Sequence, residues 1–481
     1  MDKQQSFEDS SAVMMNQSPT SSTAVIHTHP STSSTPPPTQ QKTDNISIYS
    51  EKQSKGPKKI STRDGLMVIV KSSWVNVLLV FVPIGIASHF VWSPTITFIM
   101  NFLAIIPLAK LLGFATEDIA LRTGEIIGGL LNATFGNAVE LIISIISLTQ
   151  NLVIVVQASM LGSILSNLLL VLGMCFWGGG YYFKTQYFNK TVAQTSASLL
   201  FISVASLLIP ASFYGSIHST NTESSGELTQ DILNISRATS VILLILYFSY
   251  LLFQLKTHNY LFMGPSSPES RRISTVQLQQ RQQNEQAAAA EEGQAFVNQD
   301  GEEEEEEEVE EPQLPAWMSI ALLIVVTTIV GVCAEFLVSA IEEVTKVWHI
   351  SETFVGLILI PIVGNAAEHL TAVTCALKNK MDLALGVAVG SSMQIALLVT
   401  PLMVIIGWGM QVEMSLFFNI YETAVLLIAV IMVNYLIMDG ESNWLEGLML
   451  VAVYIVIAIS FYYYPDETAT SVASSNSTIS R

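Results

Sequence analysis

The chain has 481 residues, of which 50% are hydrophobic and 13% charged, and its mean hydropathy is +0.47. Soluble domains carry about a quarter charged residues, so the composition excludes an ordinary soluble protein and indicates an integral membrane one. The formal net charge of −19 is local: positions 291–311 hold 12 acidic residues and no Lys or Arg, and taking them from −19 leaves −7, so the acidity says little about partners.

Residues 1–65 are rich in Ser, Thr, Gln and Pro and read as a disordered cytosolic tail, because they cannot bury enough apolar area to offset ordering. No apolar core region of a signal peptide opens the chain. His27 and His29 belong to this tail and read as flexible sequence rather than a metal site. A basic cluster, Lys52, Lys55, Lys58, Lys59, Arg63 and Lys71, then leads into a first transmembrane helix placed at 66–92, whose apolar run begins near 72.

Apolar runs near 72–91, 94–121, 124–150, 152–178, 191–214 and 232–256 follow, and after a polar insert others near 316–346, 350–378, 381–409, 414–438 and 443–464. That makes eleven helices, each about long enough for a bilayer. Pro107, Pro361 and Pro401 fall inside them, which a membrane tolerates where backbone lines a cavity or packs on protein. The insert 257–315 reads as a cytosolic linker. Its unbroken run Glu302, Glu303, Glu304, Glu305, Glu306, Glu307 and Glu308 is either a solvated spacer or a segment that attracts or senses cations. Residues 465–481 form a terminal tail. Cys175, Cys333 and Cys375 lie in apolar segments, with no metal spacing and no disulfide framework.

Lys and Arg set the orientation. With the amino terminus cytosolic, Arg122, Lys184, Lys190, Lys256, Arg271, Arg272, Arg281, Lys378 and Lys380 fall on the cytosolic side, against Lys346, Arg237 and Arg481 opposite. An odd number of helices then sends the carboxyl tail, with its glycosylation sequon at Asn476, across the membrane.

One stretch occurs twice. Gly136-Asn137-Ala138-Val139-Glu140 returns as Gly364-Asn365-Ala366-Ala367-Glu368, 228 positions on, and Gly162-Ser163 returns as Gly390-Ser391 at the same offset. Two polar motifs in strict register mark an internal repeat. Upstream, Ala115-Thr116-Glu117 resembles Cys333-Ala334-Glu335 at an offset of 218. The expected fold is therefore an all-α membrane protein of 11 transmembrane helices: one N-terminal helix plus two five-helix repeats, 93–256 and 316–464. An odd number per repeat inverts the second, as in secondary transporters whose ion sites lie at the repeat interface.

An ionised carboxylate at mid-membrane costs about 2.5–3.5 kcal/mol, so Glu140 and Glu368 imply something that gains from the charge. Asn137 and Asn365 stand three positions before them, on the same helix face. Ser163 with Ser166 and Ser391 with Gln394 form matched polar pairs in the following helices. Oxygen ligands without sulfur suit a hard cation such as calcium. Two carboxylates facing each other in oil repel, so they hold either one divalent cation or protons, each displacing the other. A proton gradient supplies about 1.36 kcal/mol per pH unit per proton. The competing reading is that these polar side chains only join helices. His369, beside the second Glu, is either a proton-coupling group or a core histidine. Glu117 and Glu335, one helix earlier in each repeat, read as gating sites or as helix-end carboxylates.

The paired motifs Gly136–Glu140 and Gly364–His369, the stretch Ala115–Gly124 and the acidic segment between the halves resemble the cation/proton exchanger family of fungal and plant vacuoles, within the calcium/cation antiporter superfamily. The resemblance covers about 66–464. It implies a vacuolar membrane location and transport of calcium in exchange for protons. It also implies Glu140 and Glu368 as calcium- and proton-carrying residues, a lining of Asn137, Asn365, Ser163, Ser391 and Gln394, gating by the helices bearing Glu117 and Glu335, and cytosolic cation binding by 290–311. The implied partners are calcium, protons and the bilayer, with no cofactor; calcium against manganese and a homo-oligomer stay open. A sodium/calcium exchanger is disfavoured because Val139 and Ala367 stand where that group places Pro, and a receptor or scaffold would need no repeat. No nucleophile–base pair, phosphate loop or zinc spacing suggests an enzyme, and nothing suits nucleic acid.

Overall fold

A computed structural model describes residues 62–218, 225–258, 261 and 312–464. Most of the amino-terminal tail, the Glu302–Glu308 run and the 465–481 tail lie outside the described residues. The described chain is almost entirely helical: α1 Thr62–Lys71, α2 Trp74–Val91, α3 Pro94–Thr123, α4 Glu125–Phe135, α5 Ala138–Thr149, α6 Val153–Tyr182, α7 Lys190–His218 and α8 Ser225–Leu252, with a last turn to Thr257. After the insert come α9 Ala316–Ser339, α10 Ile341–Trp348, α11 Glu352–Gly364, α12 Ala366–Leu377, α13 Met381–Met410, α14 Ile420–Leu436 and α15 Trp444–Tyr462. Among the described residues eight helices are long and apolar enough to cross a membrane, or nine if the bent α10–α11 pair counts as one. The shorter α5 and α14 are apolar as well.

Three sequence boundaries move. The expected disordered tail 1–65 ends earlier, because α1 begins at Thr62: Gly65 lies against Met318, Ile69 is buried, and the Asn76 amide donates to the Ile69 carbonyl at 2.9 Å. The expected single span 316–346 stops at Ser339, and α10 is a separate helix bent 115° from α11. Its sequence explains this. Ile341 and Val344 are buried while Glu342, Glu343 and Lys346 are exposed, an amphipathic pattern unsuited to the middle of a span. The linker 257–315 also ends inside the fold. Buried Asp118, on α3, accepts from the Gln313 amide at 2.5 Å, the Leu314 amide at 3.1 Å and the Ser319 hydroxyl at 2.6 Å, and pairs with Arg122 at 3.3 Å.

α6 and α13 form the centre. In their most apolar windows 78% and 67% of residues lie inside the protein, against 22–28% for α2, α8, α9 and α15. Both carry a π turn, Ser166–Val171 and Ile395–Val399, at matching repeat positions. One apolar core surrounds this pair, and a second joins α3 and α5 to α9 and α11. A two-stranded antiparallel ladder, β1 Gln186–Tyr187 with β2 Glu441–Ser442, ties the loop after α6 to the loop after α14.

The repeated glycines are packed differently. A methyl group at Gly162 would run into the Leu357 carbonyl, and one at Gly356 would lie 2.8 Å from the Ala158 methyl, so α6 and α11 cross in close contact. Gly390, the counterpart of Gly162 on α13, has nothing within 4 Å of such a methyl. Gly162→Ala should therefore lower stability by about 1–3 kcal/mol or more, while Gly390→Ala should leave it unchanged, as read by thermal unfolding of the purified protein in detergent.

Candidate functional site

Each repeated motif interrupts a helix. α4 ends at Phe135 and α5 starts at Ala138; α11 ends at Gly364 and α12 starts at Ala366. The two asparagines at the breaks have nearly the same backbone, φ −99° and ψ 26° at Asn137, φ −89° and ψ 2° at Asn365. Glu140 and Glu368 consequently stand in the first turns of α5 and α12, where the positive end of the helix dipole favours a negative charge.

The contacts then cross from one copy to the other. A Glu140 oxygen lies 2.9 Å from the point a methyl on Gly364 would occupy, and a Glu368 oxygen lies 3.8 Å from the same point on Gly136. Glycine at these breaks leaves room for the opposite carboxylate, so a carboxylate from each repeat faces the break of the other. The amides cross in the same way. Asn137 Nδ2 donates to Gln394 Oε1 at 2.7 Å, and Ser391 Oγ donates to Asn137 Oδ1 at 2.9 Å. Asn365 Nδ2 donates to Ser166 Oγ at 3.2 Å, and Ser166 Oγ donates to the Ser163 carbonyl at 3.2 Å. Asn167 Nδ2 donates to Ser391 Oγ at 3.2 Å. One connected polar cluster thus spans α4–α5, α6, α11–α12 and α13.

Burial is uneven. Glu140, Asn137, Asn365, Ser163 and Ser391 are buried, Glu368 and Gln394 are half-buried, and Gly136 is exposed. The open face of the cluster is therefore on the side of α4. Four buried oxygens of this cluster have no hydrogen-bond donor among the described residues: Glu140 Oε1, Glu368 Oε2, Asn365 Oδ1 and Asn167 Oδ1. Buried polar atoms are normally paired, so oxygens without donors in one polar cluster suit a cation or protons. Among the described residues no three His, Cys, Asp or Glu side chains group to hold a metal by themselves. An ion here would rely on amides, hydroxyls and carbonyls beside the two carboxylates.

His369 is buried next to Glu368, with Nε2 unpartnered. Glu117 and Glu335 are exposed, on α3 and α9, outside the buried cluster. Asn167 and the Lys110–Thr371 hydrogen bond were not anticipated. Repeat symmetry passes over Asn167, because Ile395 stands at its matching position. Its signal was an amide inside a long apolar run, which is unusual enough in a membrane helix to mark a site.

A family model described as sodium/calcium exchanger protein matches residues 93–256 and 318–463. The chain is 44% identical over 400 residues to the vacuolar calcium ion transporter of Schizosaccharomyces pombe, covering 82% of this chain and 86% of that one. It is 42% identical over 389 residues to a Ca2+/H+ antiporter of Aphanothece halophytica, covering 81% of this chain and 96% of that one. The structure of native YfkE matches with a TM-score of 0.61 and 32% identity, covering 80% of this chain and 100% of that one. An H+/Ca2+ exchanger, CAX, shares the fold at a TM-score of 0.58 and 12% identity, over 85% of this chain and 92% of that one. The chain belongs to the sodium/calcium exchanger protein family.

Proposed function

We propose that this protein is a secondary antiporter that carries calcium out of the cytosol across the membrane of an acidic organelle, the vacuole, in exchange for protons. The observation that carries the reading is the cluster of donor-less oxygens, with a carboxylate from each repeat, enclosed by four helical elements. Relatives named vacuolar calcium ion transporter and Ca2+/H+ antiporter support the choice of ions and of membrane. Glu140 and Glu368 hold the ion or the protons. Asn137, Asn365, Ser163, Ser391 and Gln394 complete the shell, His369 serves proton coupling, and Glu117 and Glu335 gate the two sides.

The architecture of this reading is eleven spans. α2 stands alone. The first repeat is α3, α4 with α5, α6, α7 and α8; the second is α9, α11 with α12, α13, α14 and α15. Two contacts support the inversion. The β1–β2 ladder requires the ends of α6 and α14 on one side, and Gln186 Nε2 donates to the Ala376 carbonyl at 2.9 Å and to Asn379 Oδ1 at 3.0 Å. Those loops carry Lys184, Lys190, Lys378 and Lys380, the side that the positive-inside rule makes cytosolic. α4 starts beside Arg122 on that same side, so the open face of the cluster looks toward the cytosol.

Vesicles with an acidic interior and no sodium should take up calcium with the intact protein. With Glu140→Gln or Glu368→Gln, uptake should fall about a hundredfold or more, since breaking a buried charged contact costs about 3 kcal/mol. Unchanged uptake in both variants would refute the site assignment. The orientation has its own check. Gly390→Cys, placed in a chain whose three native cysteines are replaced, should react with a membrane-impermeant maleimide added to the outside of intact vacuoles. Reaction only from the lumen would reverse the assignment.

A further inference from the structure

Helix α3 carries a cation at its midpoint. Lys110 is half-buried, and Leu108, Ala109, Leu111 and Leu112 around it in sequence are buried. Its ammonium has been given a specific place. Lys110 Nζ donates to Thr371 Oγ1 at 3.0 Å, and Thr371 Oγ1 donates to the Ala367 carbonyl at 2.9 Å, the residue before Glu368. Thr371 and Glu368 are three positions apart on α12, so they are neighbours on one helix face. Among the described residues Lys110 forms no ion pair. A positive charge is therefore tethered to the residue three positions after one carboxylate of the central pair.

The repeat-equivalent positions beside the other carboxylate carry no such pair. The offset of 218 that relates Glu117 to Glu335 takes Lys110 to Thr328, an exposed residue whose hydroxyl bonds back to the Ile324 carbonyl at 2.8 Å. The offset of 228 takes Thr371 to Ile143, which is buried and apolar. The repeat is thus symmetric in its carboxylates and asymmetric in its fixed positive charge.

Resting on the antiport reading above, we propose that Lys110 sets the affinity of the site for the divalent ion: its ammonium, held by Thr371 beside Glu368, repels the transported cation and loosens the Glu368 side of the shell. The reason is electrostatic. Repulsion between the ammonium and an ion grows with the ion's charge, so a divalent cation feels it twice as strongly as a monovalent one at the same place. Weak binding on one side serves a carrier, because an ion held too tightly does not leave. The residue tunes specificity and affinity; it is not itself a ligand.

Calcium uptake at a fixed pH gradient tests this, with KM and Vmax read separately for wild type, Lys110→Gln and Lys110→Arg. Gln keeps a donor for Thr371 and removes only the charge, and removing a charge from a membrane span does not threaten folding. Lys110→Gln should lower the KM for calcium about five- to tenfold, equivalent to about 1–1.4 kcal/mol, while Lys110→Arg stays within about twofold of wild type. A wild-type KM in Lys110→Gln overturns the proposal and leaves the antiport reading intact. An equal change in Lys110→Arg also overturns it, since packing rather than charge would then be the cause. Absence of proton-driven uptake in the wild type overturns both.

Discussion

The structure depends on the reciprocal seating of two glutamates against two glycines. Glu140 rests against Gly364 and Glu368 faces Gly136, so each carboxylate is accommodated by the break in the other repeat. A carboxylate in a membrane span is tolerable only away from lipid. Neither repeat can arrange that alone, because its own motif helix has one end broken and its glutamate in the first turn beyond the break. The amides obey the same logic, Asn137 reaching Ser391 and Gln394 while Asn365 reaches Ser166. The halves are held together by the same polar groups that line the candidate site.

Onto this two-fold plan the packing imposes a difference. α11 lies tightly along α6, with Gly162 and Gly356 at the crossing, whereas the matching Gly390 on α13 faces open space. Both crossings are sterically available, because the small residue is present in both repeats. Under the antiport reading, the opposite state would bring α4 onto α13 and release α11 from α6. Exchanging one crossing for the other keeps the buried area similar, which is what a pair of states separated by a few kcal/mol requires. Glu368 is then the more accessible carboxylate in one state and Glu140 in the other.

Much of this was readable from residue order. The 228-residue register located the two glutamates and the polar residues in α6 and α13, because a polar residue inside an apolar run is conspicuous and doubling makes it more so, whereas the breaks before the glutamates fall inside runs, 124–150 and 350–378, that read as continuous. The end of α9 at Ser339 was not readable from apolarity: Ile341 and Val344 extend the apolar run, and only their spacing against Glu342, Glu343 and Lys346 marks a turn. Asn167 and Lys110 were missed for a different reason. Each lacks a counterpart in the other repeat, so a search by symmetry passes over them, though their polarity alone set them apart. The unequal packing of Gly162 and Gly390 is invisible in sequence, since it belongs to one conformation and not to the chain.

Under the antiport reading, the donor count accounts for exchange rather than leakage. Asn137, Asn365 and Asn167 each donate one cross-repeat bond, while among the described residues Glu140 Oε1, Glu368 Oε2, Asn365 Oδ1 and Asn167 Oδ1 receive none. A buried acceptor left unsatisfied costs about 1–3 kcal/mol, and an ionised one costs more. A divalent cation removes the deficit, and so do protons, but an empty and ionised cluster does not. Closing either crossing around an empty cluster therefore carries the full cost, whereas closing it around calcium or around protons does not. Under the antiport reading, such a carrier would pass between its two states only when loaded, and that restriction would couple the two ion flows.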